Sequence, residues 1–390
     1  MVIFAYNKIS QMKALHFGAG KIGRGFIGAL VVKAGYELLF ADVDLGLVEA
    51  LNARGGYRVH IAESEPEYED ILGVEAAVIS SPRVVERVAA ANLITTAVSM
   101  GALRAVAPTV AQGLRARMAA GNSAPLNIIC CENGIRATSQ FKAMVYSLLD
   151  EDVQQWCERY VGFADSAVDR IVPNISLAAG LDVAVERYFE WCIDSRAIVG
   201  TLPPIAGVKY TDNLDACIER KLFTLNTAHC ATAYLGALRG YKYIHEAIGD
   251  KWVRSVVLRI MEQSSEALIA KFGLVRTEQQ RYISTILQRF GNSALGDTVA
   301  RVARDPMRKL SPALYFAYPA AMAIGYGLDT DALQMAVAAA MRYRSAEDSQ
   351  SVELQQLIAR QGVLSTAEQL TGITHPPFLE GVESFYGKLQ

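Results

Sequence analysis

Lys13-Ala-Leu-His-Phe-Gly-Ala-Gly-Lys-Ile-Gly-Arg-Gly-Phe-Ile-Gly28 decides the fold of this chain. Lys13 to Phe17 reads as a short apolar strand, Phe26 to Ala34 has helical character, and Gly35 ends that helix. Glu37-Leu-Leu-Phe-Ala41 is the next strand, closed by Asp42. Strand, glycine turn, helix, strand and acid make a βαβ unit. In such a unit Gly18 allows the tight turn, Gly20 lets the backbone approach a pyrophosphate, and Gly23 lets the helix pack on the strand. The start of the helix offers N–H groups and a partial positive charge to phosphates. An acid about twenty residues beyond the turn accepts hydrogen bonds from a ribose. Asp42 would do this for NAD and repel the additional phosphate of NADP, and Val43-Asp44-Leu45 supplies no compensating base.

Working outward, Val43 to Arg54 reads as a helix and residues 57–82 as a few short strands. Asn92 to Val98 is a strand that places Thr95, Thr96 and Val98 beside the expected cofactor, although ordinary strand residues would look the same. Leu103 to Ala120 is a helix interrupted by Pro108, and Leu126 to Cys131 a core strand ended by Glu132-Asn133-Gly134. Gly162 to Val172 and Asp182 to Arg187 suggest further strands, and Pro203-Pro204 reads as a linker. Beyond it helical patterns dominate: Asn213 to Leu238, Asp250 to Phe272, Thr277 to Phe290, Pro319 to Arg344 and Val352 to Arg360. The expectation is an α/β chain with a Rossmann-type dinucleotide-binding domain over residues 12–202 and an all-helical substrate domain over 203–390. The active site is expected between them, at the carboxyl ends of the strands.

Composition narrows the function classes. Of the 390 residues, 52% are hydrophobic and 20% charged, which suits a globular enzyme. The formal net charge of −2 gives no global field for nucleic acid or an anionic membrane, so an anionic substrate needs a local basic cluster. No run of eighteen apolar residues suggests a membrane span, and Ala332 to Met341 is too short. Residues 1–11 lack the apolar core of a signal peptide and read as an arm or an alternative start before Met12. The six cysteines, at 130, 131, 157, 192, 217 and 230, have no zinc-ligand spacing and read as free thiols of a cytoplasmic protein. No metal is expected, and the chain is expected to be a monomer or dimer.

The candidate chemistry lies in Lys221-Leu-Phe-Thr-Leu-Asn-Thr-Ala-His229. On an ideal helix, at about 100° per residue, His229 falls near ~80° and Asn226 near ~140° from Lys221, so one broad face holds all three. Oxidising a secondary alcohol needs a base for the hydroxyl proton. Lys221 could act if burial or nearby cations lower its pKa. Asn226 and Asn133, the latter at a strand end, can donate N–H groups to the oxygen where charge develops, and His229 can orient the substrate. The plain alternative is a solvated lysine and a structural histidine.

These segments carry a resemblance, together with Phe40-Ala-Asp-Val43, Leu126-Asn-Ile-Ile129, Cys131-Glu-Asn133, Asp165-Ser-Ala-Val-Asp-Arg-Ile-Val-Pro173, Thr211-Asp-Asn213 and Glu219-Arg-Lys-Leu-Phe-Thr-Leu-Asn226. From about Met12 onward the chain resembles the mannitol-1-phosphate 5-dehydrogenases of the polyol-specific long-chain dehydrogenase/reductase family. The resemblance implies a metal-independent enzyme with Lys221 as base, Asn133 and Asn226 as an asparagine pair and His229 in the site. It also implies NAD-linked interconversion of D-mannitol 1-phosphate and D-fructose 6-phosphate. Arg308 and Lys309, in Pro306-Met-Arg-Lys-Leu-Ser311, match a family stretch and are the candidates for holding phosphate, with Arg24, Asn213 and Arg220 behind them. Asp169-Arg170 reads as an ion pair holding a domain interface. The chain departs from the family downstream. Pro312-Ala-Leu-Tyr-Phe-Ala-Tyr318 lacks the usual Asp-Arg pair, and Arg342 stands where relatives have histidine. These departures keep open a related polyol or sugar-acid dehydrogenase acting on an unphosphorylated substrate.

Overall fold

The structure, a computed structural model, describes residues 12–389 except 64, 66, 174–176, 178, 179 and 203. The N-terminal arm and Pro203 of the expected linker therefore lie outside the described residues. Two compact units divide the chain, the first ending at Leu214 and the second beginning at Asp215.

The first unit is built on six parallel strands: Lys13–Phe17, Glu37–Asp42, Glu75–Val78, Leu93–Thr96, Leu126–Cys130 and Val161–Phe163. Numbered along the chain within this sheet, they lie in the order 3-2-1-4-5-6, the doubly wound order that opens a ligand crevice where the winding reverses. That reversal falls between Lys13–Phe17 and Leu93–Thr96, so the glycine turn and the end of the fourth strand sit side by side. Alternation along the strands separates two apolar clusters. Ala14, Leu38 and Phe40 face one with Tyr57 and Trp191. Leu15, Phe17, Leu39 and Ile94 face the other with Val88, Leu114 and Phe141.

Two three-stranded sheets complete this unit. Val183–Val185, Gly56–Ile61 and Glu67–Leu72 form one; Val208–Thr211, Glu190–Asp194 and Ser166–Asp169 form the other. Helices Pro82–Ala90, Ala137–Tyr146 and Glu151–Tyr160, absent from the pattern reading, supply further connections. Helix Leu103–Ala119 runs through Pro108 without a break. Pro108 is exposed, so the carbonyl it leaves without an N–H partner lies on the solvated side of the helix.

The second unit is helical; among its described residues the only β pairing is a bridge between Tyr243 and Thr298. Its centre is Thr227–Leu238, apolar nearly all round and buried accordingly. Gly236 lets this helix approach Ile244–Gly249, since a Cβ there would lie 2.7 Å from Ala247 Cβ. The pattern over Pro319 to Arg344 resolves into two helices, Ala317–Gly325 and Asp331–Arg342. Gly327, at φ +66°, takes a left-handed conformation that a continuous helix cannot hold. Ser349–Thr371 extends beyond the expected segment and kinks at Gly362, and Pro376–Lys388 follows it. Among the described residues no helix is long and apolar enough to cross a membrane.

Candidate active site

The glycine turn is held from several sides. Gly18 has φ +96°, and a Cβ on it would lie 2.6 Å from the Ala97 carbonyl oxygen. A Cβ on Gly23 would lie 1.9 Å from the Gly18 oxygen and 2.8 Å from His16 Nε2. Only glycine fits at either place. Around Gly20, by contrast, no protein atom lies within 4 Å of that position. Gly23–Gly28 forms a π-helical turn before the α-helix Ala29–Lys33. Gly28 keeps it close to the sheet, since a Cβ there would lie 2.5 Å from Phe40 Cζ.

Buried polar groups brace this turn. His16 is buried, with Nδ1 2.7 Å from Thr95 Oγ1. Burial pushes its imidazole pKa down to about 3, so the ring is neutral at physiological pH. Arg24 is buried and donates to the carbonyls of Ala19 and Leu181, while Tyr57 Oη donates to the Arg24 carbonyl at 2.9 Å. Arg170 donates to the Gly25 and Glu186 carbonyls at 3.1 and 2.9 Å, its pKa pushed down to about 10 by burial. Both guanidiniums therefore serve the first unit's own backbone. Asp42 Oδ2 accepts from Ala19 N at 2.6 Å and its Oδ1 from Asp44 N at 3.0 Å, tying the second strand to the turn.

At the ends of the fourth and fifth strands, Thr96 Oγ1 donates to Glu132, 2.7 Å from one carboxylate oxygen, and Val98 N donates to the other side of that carboxylate at 3.0 Å. Glu132 is buried, and burial raises its pKa above the ordinary carboxylate value. Asn133, the next residue, is exposed at the carboxyl end of the fifth strand.

Lys221–Asn226 is also a π-helical turn, between the α-helices Leu214–Arg220 and Thr227–Leu238. The even 100° step therefore does not apply across it. A π turn bonds i to i+5, which brings Asn226 over Lys221. Lys221, Leu222, Asn226 and His229 are partly exposed, while Phe223, Thr224, Leu225, Thr227 and Ala228 are buried. The three candidate residues therefore share the open side of this helix.

His229 is held at one face and one edge. Its ring stacks on Phe290 with centroids 4.9 Å apart, and Nε2 lies 2.8 Å from Asp297 Oδ2. Arg301 Nε donates to the other carboxylate oxygen of Asp297 at 2.8 Å. Burial would raise the Asp297 pKa, but the His229 hydrogen bond and the Arg301 guanidinium outweigh it and hold the carboxyl below its ordinary value. A depressed pKa adds stability above the unfolded-state value that is lost as pH falls through the folded-state value. Thermal melts should show Asp297→Asn losing less stability than the parent as pH drops below about 4; equal losses would leave this ion pair without a stabilising role.

Arg308 and Lys309 part company. Lys309 Nζ is buried, donates to the Val302 carbonyl and has its pKa lowered by burial. Arg308 is half exposed, with its guanidinium 3.9 Å from Asp305. Arg342 lies 4.8 Å over the Tyr386 ring, and Arg220 4.4 Å over Tyr282. Asn213 N donates to Thr211 Oγ1 at 3.1 Å.

The residues missed in the sequence, His16, Glu132, Asp297 and Tyr315, carry little local signal. Asp297 is 68 positions from the histidine it holds. Glu132 was named only as ending a strand, and Tyr315 only within a departure from the family pattern. All six cysteines are buried.

Comparison with known proteins completes the description. A family model described as the mannitol dehydrogenase Rossmann domain matches residues 12–207, and one described as the mannitol dehydrogenase C-terminal domain matches 213–373. Among solved structures, the chain is similar to Pseudomonas fluorescens mannitol 2-dehydrogenase, solved as a ternary complex with NAD and D-mannitol. Identity is 18%, the TM-score is 0.73, and the match covers 97% of this chain and 92% of that one. It is also similar to a D-sorbitol dehydrogenase in substrate-free form, at 17% identity and a TM-score of 0.82, covering 97% of this chain and 93% of the other. With both domain models matched in order, the chain belongs to the mannitol dehydrogenase family.

Proposed function

We propose that this polyol dehydrogenase uses NAD to interconvert D-mannitol 1-phosphate and D-fructose 6-phosphate, with Lys221 as general base. The observation that carries the reading is the π turn that sets Lys221, Asn226 and His229 on one open side of a buried helix. The residues present fit a dinucleotide. The turn is closed around Gly18 and Gly23 and open above Gly20, where a pyrophosphate needs backbone approach. Asp42 keeps lone pairs for ribose hydroxyls beyond its two backbone bonds, and its charge favours NAD over NADP. Thr96, locked by Glu132, forms a fixed wall at the strand ends. NAD, when bound, supplies the hydride acceptor.

In this reading Lys221, as the free amine, takes the hydroxyl proton of the alcohol as the carbinol hydride departs, leaving a ketone. Asn226 and Asn133 donate to the oxygen, whose charge is greatest in the transition state. His229, held by Asp297, orients a neighbouring hydroxyl. No metal takes part. Arg308, half exposed and in the same unit as Asn226, holds the phosphate. Lys309, assigned to phosphate by its sequence position, is directed at the Val302 carbonyl, and that favours the second reading, an unphosphorylated polyol or sugar acid.

An NADH-linked assay of fructose 6-phosphate against fructose separates the two. Under the first reading the phosphate lowers KM, and Arg308→Ala raises KM for fructose 6-phosphate about tenfold or more, as loss of a charge-assisted hydrogen bond does. Equal use of both sugars, untouched by Arg308→Ala, establishes the second.

A further inference from the structure

Asp297 lies just before helix Val299–Ala303. Its backbone is anchored: Ile244 N donates to the Asp297 carbonyl at 2.9 Å, and Thr298 forms the bridge with Tyr243. Its side chain is only 9% exposed and divides its two oxygens between two partners. Oδ1 faces Arg301, whose Nε and Nη2 lie 2.8 and 2.6 Å away. Oδ2 faces His229 Nε2 at 2.8 Å.

Proton counting gives the second contact a direction. A guanidinium only donates, so both Arg301 contacts run toward Oδ1. The Asp297 carboxyl is held below its ordinary pKa, so at neutral pH it has no proton and can only accept. The hydrogen between Asp297 and the ring therefore sits on His229 Nε2. A neutral imidazole has a single N–H, which leaves Nδ1 with a lone pair. Among the described residues no protein group hydrogen-bonds to Nδ1, and the ring is partly exposed on the open side of its helix.

We infer that Asp297 is a positioning residue that sets the tautomer of His229: it keeps the hydrogen on Nε2, so that Nδ1 accepts a hydrogen bond from a substrate hydroxyl. This rests on the reading of His229 as a residue that meets the substrate. Arg301 makes the carboxylate irreplaceable by its own amide. An asparagine at 297 has the same shape, but one end accepts and the other donates. Arg301 claims the accepting end, so the NH2 turns toward His229 Nε2, which can then hold no hydrogen. The hydrogen moves to Nδ1, and the group offered to the substrate changes from acceptor to donor.

Two measurements on the full chain test this. Nitrogen NMR of protein labelled with 15N-histidine reads the tautomer directly, with the His229 signals identified by their loss in His229→Gln. The parent should show an N–H at Nε2 and a bare Nδ1, and Asp297→Asn the reverse. With NADH and the better of the two sugars, Asp297→Asn should lower kcat/KM about tenfold, the effect of one mismatched hydrogen bond. Arg301→Ala frees the amide to turn its oxygen to Nε2. In that background Asp297→Asn should cost less than about threefold, whatever Arg301→Ala costs by itself. A parent ring with hydrogen on Nδ1 or on both nitrogens overturns the inference, as does a ring unchanged by Asp297→Asn. A reversed ring with parent-like kcat/KM overturns it too. So does the same tenfold loss in both backgrounds, which is what a general loss of structure gives. Parent-like turnover of His229→Gln instead overturns the reading of His229 itself.

Discussion

Lys221→Ala should lower kcat/KM by about a thousandfold, within the range that general-base catalysis contributes, while the dissociation constant for NADH stays near that of the parent. The lysine is partly exposed at the start of a π turn whose buried residues are Phe223, Thr224 and Leu225. A pure loss of chemistry lowers kcat and kcat/KM together, whereas loss of uniform binding raises KM alone. Lys221→Arg sharpens the test. Arginine keeps the charge and most of the length but does not give up its proton near neutral pH, so a base role predicts that it is as inactive as alanine. A Lys221→Arg enzyme with substantial turnover would mean that the position supplies charge rather than proton transfer. An alanine variant that keeps more than about a tenth of parental turnover would remove the base assignment altogether.

The second large effect contrasts two glycines three residues apart. Gly23→Ala puts a methyl 1.9 Å from the Gly18 carbonyl oxygen and 2.8 Å from His16 Nε2. Neither neighbour can yield easily. Gly18 is itself pressed against Ala97, and His16 is buried and bonded to Thr95. We expect a loss of about 3 kcal/mol or more, at the upper end of overpacking effects, read as a marked drop in melting temperature together with failure to bind NADH. Gly20→Ala meets no protein atom within 4 Å and has no positive φ to strain. It should melt like the parent and still bind NADH far more weakly, because its methyl would occupy the space left for the pyrophosphate. If Gly20→Ala bound NADH normally, the turn would be a structural device and the dinucleotide would have to be held elsewhere.

The legible part of the fold was the part written in local signals. The glycines at 18, 20 and 23 with Asp42 announced the βαβ unit, and short apolar runs marked the strands whose order places the crevice at the turn. Long periodic stretches such as Lys251–Phe272 read correctly as helices. Errors came where a local signal was outweighed. Pro108 suggested a break, but it lies on an exposed face, and burial of Val106, Ala107, Val110 and Leu114 on the other holds the helix through it. The alanine-rich run after Pro319 looked continuous because the break between Gly325 and Asp331 is short, with its left-handed turn at Gly327. In the candidate site, Lys221, Asn226 and His229 stood out in the sequence as a proposed set, but their angular relation was not legible, since periodicity reasoning assumes one residue spacing throughout. Asp297 meets His229, and the Tyr315 carbonyl meets Thr227, through long-range contacts, and a sequence alone does not say which distant carboxylate meets which imidazole.

The wide turn from Lys221 to Asn226 also bears on how such a chain can change over time. A π turn is a helix with one residue too many. Deleting that residue would restore regular bonding and ease the backbone, yet it would swing everything beyond by roughly a quarter-turn or more. His229 would leave Phe290 and Asp297, and the buried stripe of Thr227–Leu238 would be thrown out of phase with its neighbours. An insertion here is therefore a one-way ratchet: simple to keep, and removable only together with the packing of an entire domain.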